Sequence, residues 1–230
     1  MSLILTILLY GAGFSDPHCP NGESLVYKGY DDGNKTSRDI IHKVYDMGGY
    51  YYSTHEHLDT TRILVKCKMR KSDLSTLQVI KDRSGRFQLG IEPTSGGILV
   101  KNGPKSTETK VKYAGVFYDR HTLIDVFRGF PFENPRTVEF AFFESNVGSV
   151  ITGTCNYAGI VGIKTDTGDF DCYKLTLGFK SQLIETVYQL AVAGRSFDFY
   201  YEVEEPHRMI YWTDNKGSYL KLKQVDSEGE

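Results

Sequence analysis

The stretch IIHKVYDMGGYYYSTHEHL, residues 40–58, places His42, His55 and His57 on either side of a Gly-Gly pair. If Gly48 and Gly49 form a two-residue turn, a use that Gly-Gly favours because the central positions take positive φ, Met47 faces Tyr50 and His42 faces His55. Side chains alternate along a strand, so His57 shares the face of His55 and lies diagonal to His42. Opposed Cβ atoms sit about 5 Å apart and diagonal ones about 7 Å, a spacing that three imidazoles can close around Zn²⁺ with one coordination position open. His42, His55 and His57 are therefore the candidate metal ligands, and zinc the candidate cofactor. The cluster depends on register, because a three-residue loop would oppose His42 to Glu56 instead. The other face of the hairpin carries Ile41, Tyr45, Met47, Tyr50, Tyr52 and Leu58. It reads as the side that packs on a core, leaving the histidines towards solvent or a groove, where a solvated or singly hydrogen-bonded imidazole is the simpler role.

A second patch lies in RILVKCKMRK, where a strand sets Lys66, Lys68 and Arg70 on one face and Val65, Cys67 and Met69 on the other. A basic face protects a sheet from edge pairing; the functional alternative is a site for an anionic ligand or lipid head group. The carboxylate pairs Asp119 with Asp125 and Glu202 with Glu204 read as solvated surface groups rather than an acid and a base. GxSxG, HExxH, GxGxxG and GxxxxGK[ST] are all missing, so serine hydrolase, zinc protease, dinucleotide and nucleotide chemistry lose their usual sequence support. No catalytic residue is nominated, and the balance favours a protein that is not an enzyme.

The elements that position these residues are mostly strands. Sixteen Tyr and thirteen Phe in 230 residues suit pleated, half-buried surfaces, and 40% hydrophobic content is enough for one full core. The formal charge of -2 gives no overall attraction to nucleic acid or to an anionic membrane. Short alternating runs between Gly, Asn and Asp clusters predict strands over 24–30, 39–47, 50–58, 62–70, 76–82, 87–92, 97–101 and 107–116. A second series covers 137–145, 150–155, 157–165, 170–179, 197–204, 208–213 and 218–223. Helical spacing and capping residues predict a short helix over 122–128, and a second helix is expected over 181–194. The apolar run 3–10 and the small residues after it read as a cleaved secretory signal ending near residue 13, although no basic residue precedes the run. A single β-rich domain over 14–225 and a disordered tail over 226–230 complete the organisation. Cys19, Cys67, Cys155 and Cys172 permit two disulfides or four free thiols.

Four segments carry a resemblance. ESLVYKGY, DRHTLIDVFRGFPF, TDTGDFDCYKLTL and EEPHRMIYWTDNKGSYLKL resemble, in that order, segments of a bacterial exported family catalogued as domain of unknown function 3108, over about residues 23–223. The resemblance implies an envelope protein with a single curved antiparallel sheet, an open half-barrel wrapped around one or two short helices, similar to the half-barrels of lipoprotein carriers. It brings no catalytic motif, and it implies structural roles for Asp125, Arg128 and Lys174. A lipocalin-type closed barrel is the architectural rival, but the Gly-x-Trp of its first strand is absent. The expected function is that of a non-catalytic protein of the periplasm or cell envelope, peripheral to the membrane, which binds an apolar or amphiphilic, lipid-like ligand on a concave β surface and no nucleic acid. The alternatives are a metal-binding protein or metal-dependent enzyme centred on the three histidines, and a structural or assembly protein.

Overall fold

The computed structural model of the chain describes residues 13–180 and 196–226. The first half meanders through β1 (Glu23–Asp31), β2 (Thr36–Asp46), β3 (Tyr50–His57), β4 (Ile63–Arg70), β5 (Thr76–Arg83), β6 (Arg86–Thr94), β7 (Gly97–Asn102) and β8 (Thr107–Lys112). After β9 (Tyr118–Asp119) comes a helical excursion: a 3-10 turn at Arg120–Thr122, helix α1 (Leu123–Val126) and a second 3-10 turn at Phe127–Gly129. The chain then meanders back through β10 (Val138–Glu144), β11 (Ser149–Thr165), β12 (Gly168–Phe179), β13 (Phe197–Glu202), β14 (Met209–Asp214) and β15 (Tyr219–Asp226).

All fifteen strands belong to one sheet, in the order β8-β7-β6-β5-β4-β3-β2-β1-β15-β14-β13-β12-β11-β10-β9. The pairing of β1 with β15 joins the two meanders, and only β9 with β10 is parallel. Because β8 and β9 stand at opposite ends of that order, the sheet is open, a half-barrel and not a closed one. Alternation decides which face is inside: Val65, Cys67 and Met69 of β4 are buried while Lys66 and Lys68 stay partly exposed.

The helical excursion fills the concave side. Phe127 is fully buried and meets the edges of Phe140 and Phe199 at centroid distances of 5.5 and 4.9 Å. Burial of such a ring contributes about 2–3 kcal/mol before the ring–ring geometry is counted. Gly129 must be glycine, because a Cβ there would come within 2.0 Å of the Ser15 carbonyl oxygen. Polar tethers fix the segment further. Tyr201 Oη donates to the Ile124 carbonyl (2.9 Å), and Arg128, only 2% exposed, grips Glu23 of β1 with two guanidinium nitrogens at 2.5 and 3.2 Å. Arg128 Nε also donates to the Pro206 carbonyl, and Arg208 Nε reaches Glu23 at 3.2 Å.

Several sequence expectations change. The expected helix over 122–128 is a longer, mostly 3-10 excursion, in which Asp119 accepts from the His121 backbone N–H as the cap. The runs 150–155 and 157–165 are one strand, β11, broken only by an irregularity between Tyr157 and Ile160. The run 107–116 stops at Lys112, and Asp226 belongs to β15 rather than to a loose tail. The expected helix over 181–194 and the apolar run 3–10 lie outside the described residues, although Phe14 is already core. All four cysteines are buried free thiols, and burial pushes Cys19 and Cys172 up to about 12.

Removing one partner of a buried ion pair leaves a charge without compensation, which costs about 3–5 kcal/mol, whereas a solvated pair contributes less than about 1 kcal/mol. Glu23→Gln and Arg128→Met should each lose stability in the larger range in urea unfolding, and Lys164→Ala, whose partner Asp169 is as exposed as itself, should lose almost none. Equal, small losses for all three would contradict the anchoring role of the buried pair.

Candidate functional site

The hairpin forms in the expected register. Met47 N–H donates to Tyr50 O (2.9 Å), Gly48 adopts φ +79°, and His42 stands opposite His55. Its orientation is the reverse of the sequence expectation. The histidine face turns inward, with His42 1% exposed, while Met47 and Leu58 of the supposed core face are 54% and 53% exposed. Since the sheet is one layer curved around a helical core, only its concave side is dry, and the curvature puts the histidines there.

What they meet is α1. Asp125, buried at the centre of that helix, has its Oδ1 2.9 Å from His42 Nε2 and accepts from Ser53 Oγ at its Oδ2 (2.8 Å). An ionised carboxylate only accepts, so His42 Nε2 carries the shared proton. The His55 ring stacks on His42 at 4.4 Å, with its Nε2 4.0 Å from Asp125 Oδ2. His57 is not part of this group. It sits opposite Ile40, and its Nδ1 accepts from Arg38 at 3.4 Å. The structure thus keeps two of the three expected ligands together and supplies Asp125 in place of the third. The reading of Asp119, Asp125 and Glu202 as surface carboxylates is also corrected: all three are buried, because the helical excursion and β13 face the core.

Electrostatics follow from burial. Desolvation opposes ionisation of Asp125, yet the neighbouring His42, His55 and Arg128 outweigh it and hold the carboxyl down at about 2. Burial, reinforced by His42, pushes His55 down to about 3, and burial with Arg38 pushes His57 down to about 4. Both rings are therefore neutral at pH 7.

His55 and His57 also line a cavity of about 370 Å³. One wall is apolar and comes mainly from the second meander: Leu177 of β12, Phe197 and Phe199 of β13, Met209 and Trp212 of β14, and Leu220 of β15, continued by Ile40 and by Leu123 and Ile124 of α1. The other wall is polar, with His55, His57, Lys81, Arg120, His121 and Glu144 set beside Ile63 and Val65. Asp119 Oδ1 lies 2.6 Å from His121 Nδ1, whereas His121 Nε2 is buried without a hydrogen-bond partner. Arg120 reaches Glu144 at 3.5 Å. Lys81 has no ion pair among the described residues, and burial, with Arg120 nearby, lowers its pKa.

Lys66, Lys68 and Arg70 lie on the opposite face of the sheet, where Lys66 pairs with Asp82, Lys68 covers the Tyr50 ring and Arg70 pairs with Asp73. Lys174 pairs with Asp198 at 2.8 Å. The cavity residues Lys81, Arg120 and His121 escape a sequence reading because they come from elements forty residues apart. The one local signal is the spacing of Asp119 and His121, two residues apart at a helix start.

No protein-family model and no curated protein matches the sequence. A solved structure does: the β-barrel-like protein of domain of unknown function 1849 from Brucella abortus superposes with a TM-score of 0.56 at 9% identity, over 90% of this chain and 97% of that one. The two share a fold. A putative lipoprotein from Parabacteroides distasonis aligns over 94% of this chain and 99% of that one at 12% identity, with a TM-score of 0.34. Neither description names the family that the sequence resembles. Among the described residues, no helix is long and apolar enough to cross a membrane.

The histidine shifts set the acid response. A His whose folded pKa lies below the unfolded value of about 6.5 binds its proton more readily in the unfolded chain, so stability rises with pH between the two values. In buffer containing a chelator, the urea midpoint should fall as pH drops from 7 to 4, with Asp125 adding to the fall below about pH 4. His55→Gln and His57→Gln should each flatten that fall. A wild-type midpoint that is constant over the range would show that neither ring is held neutral by burial.

Proposed function

We propose that the protein is a non-catalytic binding protein of the cell envelope, whose cavity takes a single-chain amphiphile with an anionic head. The observation that carries this reading is Lys81, a half-buried cation lining the cavity that makes no ion pair among the described residues. Desolvating a lone ammonium is unfavourable, and an anion from the ligand would offset it. The opposite wall suits an alkyl chain, since it is built from aromatic and aliphatic side chains and about 370 Å³ lies within the usual size of ligand sites. A mainly apolar lining that also carries Lys81, Arg120 and three imidazoles offers partners for both ends of an amphiphile. The envelope location rests on the resemblance to the exported family, as does membership of that family.

Trp212, the chain's only tryptophan, lines the cavity, so its emission reports occupancy. Titration with a medium-chain fatty acid should give a saturable change in that emission. Lys81→Met should weaken binding of the acid by about ten-fold or more, as expected for loss of a hydrogen bond to a charged group, and leave binding of the matching alcohol almost unchanged. Absence of a saturable change, or equal loss for acid and alcohol, would remove the proposal and favour a structural role for the sheet.

A further inference from the structure

His55 is the residue that the hydrogen-bond network does not explain. His42 is held by Asp125, and Asp125 is held in turn by Ser53, but His55 Nε2 is buried without any hydrogen-bond partner and stands 4.0 Å from Asp125 Oδ2. His42 Nδ1 is likewise buried and unpartnered. An apolar ring at position 55 would stack on His42 equally well without burying an unsatisfied nitrogen. The imidazole therefore needs a reason beyond packing.

We propose that His42, His55 and Asp125 bind a divalent transition cation, with zinc as the best fit. One donor atom from each residue lies within 4.8 Å of the other two. Ligands at the 2.0–2.2 Å typical of zinc stand about 3.3–3.6 Å apart in a tetrahedron, so the 2.9 Å between His42 Nε2 and Asp125 Oδ1 must open slightly, and the His55 ring, whose Nε2 is 4.0 Å from the other oxygen, Oδ2, must shift to share the cation. Two imidazoles and one carboxylate in a tetrahedral arrangement with one open position are a donor set that catalytic zinc sites use, and non-haem Fe(II) sites share it. Ser53 supplies the outer hydrogen bond that orients a ligating carboxylate. The proton to be displaced is the one shared between His42 Nε2 and Asp125 Oδ1, and it leaves to solvent as the cation enters. The ligands come from β2, β3 and α1, so a bound cation would clamp the helix to the sheet. Because His55 also lines the cavity, a fourth coordination position would open towards it.

The test uses the full chain, stripped with a chelator and desalted, then titrated with Co²⁺ and followed by visible absorption, with Zn²⁺ as competitor. The expected result is one equivalent of Co²⁺ with the intense d–d bands of a four-coordinate site, displaced by Zn²⁺. His55→Ala should weaken Zn²⁺ binding at least a hundred-fold, and His57→Ala should leave it unchanged. Zn²⁺ should raise the melting temperature of the wild type and of His57→Ala but not of His55→Ala, which separates ligand loss from misfolding. The proposal is overturned if the wild type gives no such bands, if His55→Ala binds as tightly as the wild type, or if binding follows His57 instead. None of these outcomes depends on Lys81 or on amphiphile binding.

Discussion

A guanidinium at the centre of a protein has to be neutralised where it stands, and in this fold that constraint organises the rest. Arg128 enters the core because it lies directly between Phe127, which packs on Phe140 of β10 and Phe199 of β13, and Gly129, which is pressed against the Ser15 carbonyl. Its charge is met by Glu23 on β1, the strand at the seam where the two halves of the sheet join. Arg208, just before β14, reaches the same carboxylate, so one ion cluster ties together the helical excursion, the seam and the second meander. Without it the C-terminal end of the excursion would lose its charged anchor to the seam, leaving the apolar contacts and the hydrogen bonds of Asp125 and of the Ile124 carbonyl to hold it to the curved layer.

Anchoring the excursion by its C-terminal end leaves its N-terminal end to shape the site. Asp119 caps the first turn and presents His121 to the cavity, while Asp125 faces β2 and β3 and collects His42 and Ser53. The cavity lies between this edge of the excursion and the sheet. Its lining is mixed in chemistry: polar side chains come mainly from β3, β5, β10 and the first turn of the excursion, and rings and aliphatic chains mainly from β12–β15.

Such an interior is costly. Buried imidazoles, a lysine with no ion pair among the described residues and ring nitrogens without a hydrogen-bond partner all oppose folding, and an apolar filling of the same volume would be more stable. The tolerated cost concentrates in one region, around His55, Lys81 and His121, rather than being spread through the core. The cavity proposed to take a ligand lies in that same region.

The amino-acid sequence by itself marked most of the strands and a β-rich class of fold, because these rest on local physics, and it supplied the hairpin register on the condition of a two-residue turn; the open half-barrel was implied by the resemblance. Alternation set the faces of β4, and Gly48-Gly49 set the turn that opposes His42 to His55. It also marked the helical excursion, through Asp119, Thr122 and the apolar spacing that follows. Which face of the hairpin is dry was decided only by the tertiary structure. Both faces carry rings, and a sheet with one solvated side does not record in a single strand which way it curves; the buried excursion decides that. The same holds for the site. Asp125 lies 83 residues from His42 in the chain, and Lys81 lies on a strand that reads as ordinary alternating β, so their meeting around one cavity follows from curvature and from the Arg128 anchor. No spacing within either segment encodes it.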